Sequence, residues 1–113
     1  MITRKLAAIA LCLGIATSFA PSISFAAEDH IAEAIEHAEA ATNNGRQGRT
    51  EVFVEQVQIA VQHAEAADAE NANPLAKAAI RDLKAGIELA KAGKLDNAIA
   101  STDIALGHLA HAK

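Results

Sequence analysis

The sequence contains 113 residues, enough for one small domain, with ten basic and fourteen acidic residues and a formal net charge of −4. An acidic chain with only three aromatic residues lacks the basic stripe and stacking side chains of nucleic-acid binding, so we expect no nucleic-acid partner. The single methionine and single cysteine are Met1 and Cys12, so the chain beyond them offers no disulfide, thiolate ligand or thioether ligand.

Residues 1–26 are predicted to be a cleavable secretory signal peptide. Arg4 and Lys5 form a basic start, a nearly continuous apolar stretch follows, and Ser24 and Ala26 supply the small residues of a cleavage site. The apolar stretch is shorter than the ~20 residues of a membrane span, which argues against a permanent anchor. We therefore expect a periplasmic or secreted protein with no stable membrane insertion after signal cleavage.

Residues 27–113 are predicted to form four helices. Glycine-containing or polar breaks fall at residues 43–49, at residues 68–74 and at Gly93, and the segments between them consist mostly of good helix formers. The first helix should cover residues 28–42, and the second should begin at Thr50 as N-cap. Apolar residues at three- and four-residue steps predict the buried faces. These residues are Ile31, Ala34, Ile35, Ala38, Ala41, Phe53, Val54, Val57, Val61 and Ala64 in the first two helices.

The third helix should begin with Asn73 as cap and Pro74 at its first position, where proline costs no hydrogen bond. Gly93 should end this helix. The predicted buried residues of the last two helices are Ala76, Ile80, Leu83, Ile87, Leu95, Ala98, Ile99, Thr102, Leu106 and Leu109.

The two halves of this region are similar. A shift of 45 residues superposes Gly48 on Gly93 and His63 on His108. This pattern indicates two repeated αα-hairpins, over about residues 28–69 and 74–112. The expected fold is all-α, an antiparallel four-helix bundle built from these two hairpins.

The histidines are the candidate metal ligands. On the first helix, His30, Glu33 and His37 form one row, and imidazole and carboxylate both bind zinc, cupric copper and nickel. His30 and His37 are ~10 Å apart along the axis, so one ion cannot bind both. Glu33 could chelate with either histidine, and a second helix would complete the site.

Other histidines extend this prediction. In an antiparallel bundle, His63 near the end of the second helix should approach His30, and His108 with His111 forms an i, i+3 chelating pair on the last helix. Two alternatives remain open. The histidines could be ordinary exposed side chains, or cleavage after Ala27 could leave Glu28-Asp29-His30 as an amino-terminal site for cupric copper or nickel.

Four stretches carry a family resemblance: HIAEAIEHAEAA, GRQGRT, VQHAEAA and IALGHLAHA. Over residues 28–112 the chain resembles the small metal-binding protein family of His-rich periplasmic four-helix bundles. The resemblance implies binding or buffering of divalent ions, cupric copper first, with nickel or zinc as alternatives. It carries the family's histidine positions onto His30, His37, His63 and His108. The positions that depart from the family's histidines are Asn44, Arg49, Gln56, Asp82, Leu89, Lys94 and Ser101.

Two functions compete. The first is metal binding through His30, Glu33, His37, His63, His108 and His111. The alternative is a helical interaction module of the cell envelope with tetratricopeptide-like hairpins, indicated by GKLDNAIASTDIAL, although the 45-residue period differs from that repeat. Ile59 and Ile104 lie off the predicted core faces and could form a homodimer surface. No catalytic motif, haem motif or nucleotide-binding loop is evident, so we expect neither an enzyme nor a haem or nucleotide protein.

Overall fold

The computed structural model describes residues 29–113 and contains four helices in this part of the chain: α1 (His30–Arg46), α2 (Thr50–Glu70), α3 (Pro74–Lys91) and α4 (Leu95–Ala112). Each helix packs against two neighbours, most extensively within the α1–α2 and α3–α4 hairpins, and α2 with α3 and α1 with α4 close the bundle. The predicted all-α four-helix fold is confirmed. The predicted signal peptide and both cleavage positions lie outside the described residues.

Two of the four described helices, α1 and α3, have a side chain that caps their N-terminus. The Asp29 side chain accepts hydrogen bonds from the backbone N–H groups of Ile31 and Ala32 at the start of α1. Asn73 caps α3 in the same way, with Pro74 at the first helical position, as predicted. The prediction of Thr50 as a cap was wrong, because Thr50 is already the first residue of α2.

The first helix extends further toward its C-terminus than the sequence predicted. α1 continues to Arg46, four residues past its predicted end, because Gly45 packs inside the bundle. A Cβ there would lie only 3.0 Å from Ile99 and from Phe53. The chain reverses later, at Gly48, which has a φ of 78°, a conformation that only glycine adopts readily. Gly93 repeats this geometry in the second hairpin with a φ of 83°.

The core follows the predicted faces, with alanine as its commonest residue. Among the predicted core positions, the half-buried ones lie at the edges of the faces: Ile35, Val54, Ile80, Leu95, Ile99 and Leu106. Thr102 is buried and donates its hydroxyl to the carbonyl of Ala98 one turn earlier. Among the helices of residues 29–113, none combines the length and apolarity needed to cross a membrane.

Ile104 is the exposed large hydrophobic residue in the described part of the chain, with 57% of its surface accessible. Ile59 is half-buried, so it contributes less to any outer surface. The predicted homodimer through these two residues stays a prediction.

Two helical glycines provide a matched test of close helix packing. A Cβ at Gly86 would lie 2.8 Å from the Thr102 hydroxyl and 3.2 Å from the carbonyl oxygen of Ala98, whereas a Cβ at Gly107 meets nothing within 4 Å. Gly86→Ala should therefore lower the free energy of unfolding by about 1–3 kcal/mol through overpacking. Gly107→Ala should raise it by about 1 kcal/mol through helix propensity. Urea unfolding of both variants measures the difference, and equal effects would contradict the close α3–α4 contact.

The interactions of the Asp68 carboxylate should make the protein less stable at acid pH. Its carboxylate lies 2.6 Å from the Lys77 ammonium and accepts the backbone N–H of Asn73. These bonds, Lys77 first, hold the pKa of Asp68 below its ordinary value. Their contribution is present above the unfolded-state pKa of about 3.9 and is lost as pH falls through the lower folded-state pKa. Asp68→Asn should lower the melting temperature at neutral pH. The variant should also lose less stability than the native chain as the pH falls, because it has no Asp68 carboxylate to protonate. Thermal melts from neutral to acid pH measure both effects.

Candidate metal centre

The row of polar side chains on α1 faces the second half of α2. Because the two helices are antiparallel neighbours, His63 lies beside the first two turns of α1. Donor atoms of Glu33, His37 and His63 all lie within 4.8 Å of one another, and all three side chains are half-buried. The closest approach between Glu33 Oε1 and His37 Nε2 is 4.0 Å. Two helices thus contribute three potential ligands to one location.

His30 and Glu70 contact this three-residue group, and each other, near one end of the bundle. His30 Nδ1 lies 3.2 Å from His63 Nδ1, so the predicted approach of these two histidines is confirmed. His30 Nε2 lies 3.4 Å from a carboxylate oxygen of Glu70. The His63 ring also stacks on the His37 ring, with centroids 5.6 Å apart and the planes 3° from parallel. His63 therefore stands between the two histidines of α1.

Gln56 fixes the orientation of His37. The Gln56 side-chain oxygen lies 2.8 Å from His37 Nδ1. A carbonyl oxygen can only accept, so in the neutral imidazole Nδ1 carries the proton and Nε2 keeps its lone pair. Nε2 is the nitrogen on the Glu33 side. Such a hydrogen bond to the non-ligating nitrogen is the usual way in which proteins orient metal-binding imidazoles.

The donor set suits a divalent transition-metal ion. Two imidazoles and a carboxylate bind zinc at about 2.0–2.2 Å, and the same nitrogen and oxygen ligands bind cupric copper and nickel. Ligands on one tetrahedral ion of this kind lie about 3.3 Å apart, so donor atoms now up to 4.8 Å apart must approach by as much as about 1.5 Å to share it. The Glu33 side chain, which is 38% exposed, can rotate toward the imidazoles, and one of the two stacked rings must also turn, because the in-plane lone pairs of parallel rings cannot meet at one ion.

Removing the Gln56 oxygen tests this orienting role. Gln56→Leu keeps the side-chain size but leaves His37 Nδ1 without its acceptor, so zinc affinity should fall by about 10–100-fold. The exposed Gln58 on the same helix gives the control, since Gln58→Leu should leave affinity unchanged. Competition with a chromophoric chelator measures both values. Equal affinities for the two variants would show that Gln56 plays no part in binding.

The remaining predicted ligands lie elsewhere. His108 on α4 has its Nε2 3.4 Å from a carboxylate oxygen of Asp82 on α3. His111 is exposed, and its Nδ1 donates to the Gly107 carbonyl at 2.9 Å. The i, i+3 pairing of these histidines as ligands stays a prediction.

Sequence reasoning did not assign Gln56, Glu70 or Asp82 to a site. In the sequence, Gln56 and Asp82 depart from the family's histidines, and in the structure each lies against a remaining histidine. Glu70 fell inside a predicted break, although it lies seven residues after His63, at the same helical interval that separates His30 from His37. This seven-residue spacing is the sequence feature that places Glu70 on the same side of α2 as His63.

Comparison with known proteins assigns the chain to a family. A search of curated proteins finds no match. A family model described as "Small metal-binding protein" matches residues 4–112, nearly the whole chain, in agreement with the resemblance seen in the sequence. The chain therefore belongs to the small metal-binding protein family.

Proposed function

We propose that this protein binds and buffers a divalent transition-metal ion in the periplasm. The observation that carries the proposal is the convergence of Glu33, His37 and His63 donor atoms within 4.8 Å of one another. Family membership supports metal binding in general. The periplasmic location rests on the predicted signal peptide.

Copper is the first candidate ion. Sites built from imidazole nitrogen and carboxylate oxygen generally bind cupric ion more tightly than zinc or nickel. The two imidazole nitrogens of His37 and His63 favour cupric copper, whereas the part of the chain beyond Cys12 supplies no sulfur ligand for cuprous copper.

The location of the group suits reversible binding. The ligands are half-buried side chains on the flank of two helices, so an ion can enter and leave without the bundle opening. Partial burial also lowers the local dielectric and strengthens the attraction of the Glu33 carboxylate for a cation. A site of this kind holds and releases an ion, which is what a buffer requires.

Calorimetric titration of the signal-cleaved protein with cupric and zinc ions tests the proposal. We expect one tight equivalent, with copper bound more strongly than zinc, and loss of that equivalent in His37→Gln/His63→Gln. His111→Gln is the matched control because His111 is exposed, is not part of the three-ligand group, and has its Nδ1 bonded within α4 to the Gly107 carbonyl. An unchanged isotherm in the double variant would overturn the proposed site.

A further inference from the structure

His30 lies at the start of α1, beside the metal group but outside its three converging donors. The donor atoms that converge in the described part of the chain belong to Glu33, His37 and His63. His30 is nevertheless the more enclosed histidine of α1, since its side chain is 20% exposed and that of His37 is 28% exposed. Its two ring nitrogens face different partners, one on His63 and one on Glu70. These contacts indicate a role in arranging the group.

The contact between His30 and His63 requires one donor and one acceptor. The two Nδ1 atoms lie 3.2 Å apart, and the ring planes are tilted by 32°. At this distance two lone pairs would repel each other and two N–H protons would clash, so one nitrogen carries a proton and donates it to the other. The direction of this hydrogen bond decides which nitrogen of His63 keeps a lone pair for an ion.

Glu70 sets the direction of the hydrogen bond. Its carboxylate oxygen lies 3.4 Å from His30 Nε2, and an ionised carboxylate can only accept, so it favours a proton on that nitrogen. In the neutral imidazole of His30, Nδ1 is then the acceptor. His63 must donate from its own Nδ1, and the lone pair of His63 therefore lies on Nε2.

The same arrangement holds His37. The side-chain oxygen of Gln56 accepts the Nδ1 proton of His37 and leaves the lone pair of that ring on Nε2. Both imidazoles of the metal group thus present the same nitrogen, His37 through an amide oxygen and His63 through a second imidazole. Hydrogen bonds of this kind to the non-ligating nitrogen fix the tautomer and the orientation of metal-binding histidines.

We infer that His30 is a positioning residue and not a ligand: under the direction of Glu70 it accepts the Nδ1 proton of His63, and it thereby presents His63 Nε2 to a zinc or cupric ion. This inference rests on the metal binding proposed above. The Glu70 side chain is 67% exposed, so solvent weakens its part. His30, which contacts His63 directly, should therefore have the larger effect.

NMR of the metal-free protein tests the direction of the hydrogen bond. Proton–nitrogen correlations at about pH 8, where histidine is ordinarily neutral, show which ring nitrogen carries the proton. We expect the Nδ1–H form of His63 to predominate in the native chain and in His30→Asn, whose side-chain oxygen stands close to the position of Nδ1 and can accept. His30→Leu removes the acceptor, so the Nε2–H form should appear. Glu70→Ala should give a smaller change in the same direction.

Glu55→Ala is the control for Glu70→Ala, because Glu55 is another exposed carboxylate on α2, and it should leave the tautomer of His63 unchanged. Circular dichroism verifies that each variant keeps its helices. A native His63 that carries its proton mainly on Nε2 would overturn the inference.

Zinc affinity separates a positioning residue from a ligand. Loss of an orienting partner usually lowers metal affinity by about 10–100-fold, and we expect this loss in His30→Leu. His30→Asn should bind zinc nearly as tightly as the native chain, because it keeps the acceptor although it has no imidazole. If both variants lost the same affinity, His30 would be a ligand and the inference would be overturned. A native chain that binds no zinc would refute the proposed function and any role of His30 toward an ion, whereas the tautomer measured by NMR would be unaffected, so the two failures are distinguishable.

Discussion

Replacing His63 with glutamine should weaken cupric or zinc binding by at least about 10–100-fold, since losing a direct ligand costs no less than losing an orienting partner. His63 is the one member of the three-ligand group on α2, and it also contacts His30 and stacks on His37. Without it, the ligands at this location all come from α1. His30 and His37 are ~10 Å apart along that helix, so one ion cannot bind both of them, and His30 cannot take the place of His63 beside His37.

The size of this effect distinguishes a site that spans two helices from separate surface histidines. If each histidine bound ions independently, His63→Gln and His111→Gln would have similar effects. Titration of both variants against the native mature chain makes the comparison. A His63→Gln protein that keeps native affinity while its circular dichroism is unchanged would contradict the shared site.

Phe53→Ala should have the largest effect on stability, a loss of about 3–5 kcal/mol. Phe53 is fully buried and is the largest side chain of the core. Its ring lies against Gly45 of α1 and close to Gly86 of α3, so it fills the space that these glycines leave. The surrounding core is mostly alanine, whose short side chains cannot close a cavity of this size. The loss is a large part of the about 5–15 kcal/mol that stabilises a typical small domain.

Urea unfolding followed by circular dichroism measures this loss. Phe53→Leu is the control, because it keeps most of the apolar volume and should cost about 1–1.5 kcal/mol. A saturating metal ion should restore part of the stability of Phe53→Ala, since binding to the folded state alone adds about 2.7 kcal/mol at a hundredfold excess over Kd. A Phe53→Ala protein as stable as the native chain would mean that the ring does not occupy the core.

The helices and their buried faces could be predicted because they depend on local periodicity. Asn73 and Pro74 mark the start of α3 through chemistry contained in adjacent residues, and the structure confirms them. The end of α1 could not be predicted in the same way. Gly45 looks like a turn residue in sequence, but its place in the helix depends on contact with Ile99, which lies 54 residues away.

In the metal group, too, some features follow from local sequence and others depend on how the helices pack. The His30, Glu33 and His37 row follows from the helical repeat alone, and the approach of His63 follows from antiparallel topology. The parts played by Gln56 and Glu70 depend on the rotation and register of α2 against α1, which sequence periodicity does not determine. Asp82 is the related case in the second hairpin, since its approach to His108 depends on how α3 packs against α4.

Anomalous diffraction from crystals of the mature protein soaked with one equivalent of zinc tests the shared site most directly. We predict one strong peak between α1 and α2, within about 2.0–2.2 Å of Glu33, His37 and His63. Ligands from both helices in that one coordination sphere would establish the binding mode. A strong peak held by residues of a single helix, or a strong peak located away from this hairpin, would contradict it.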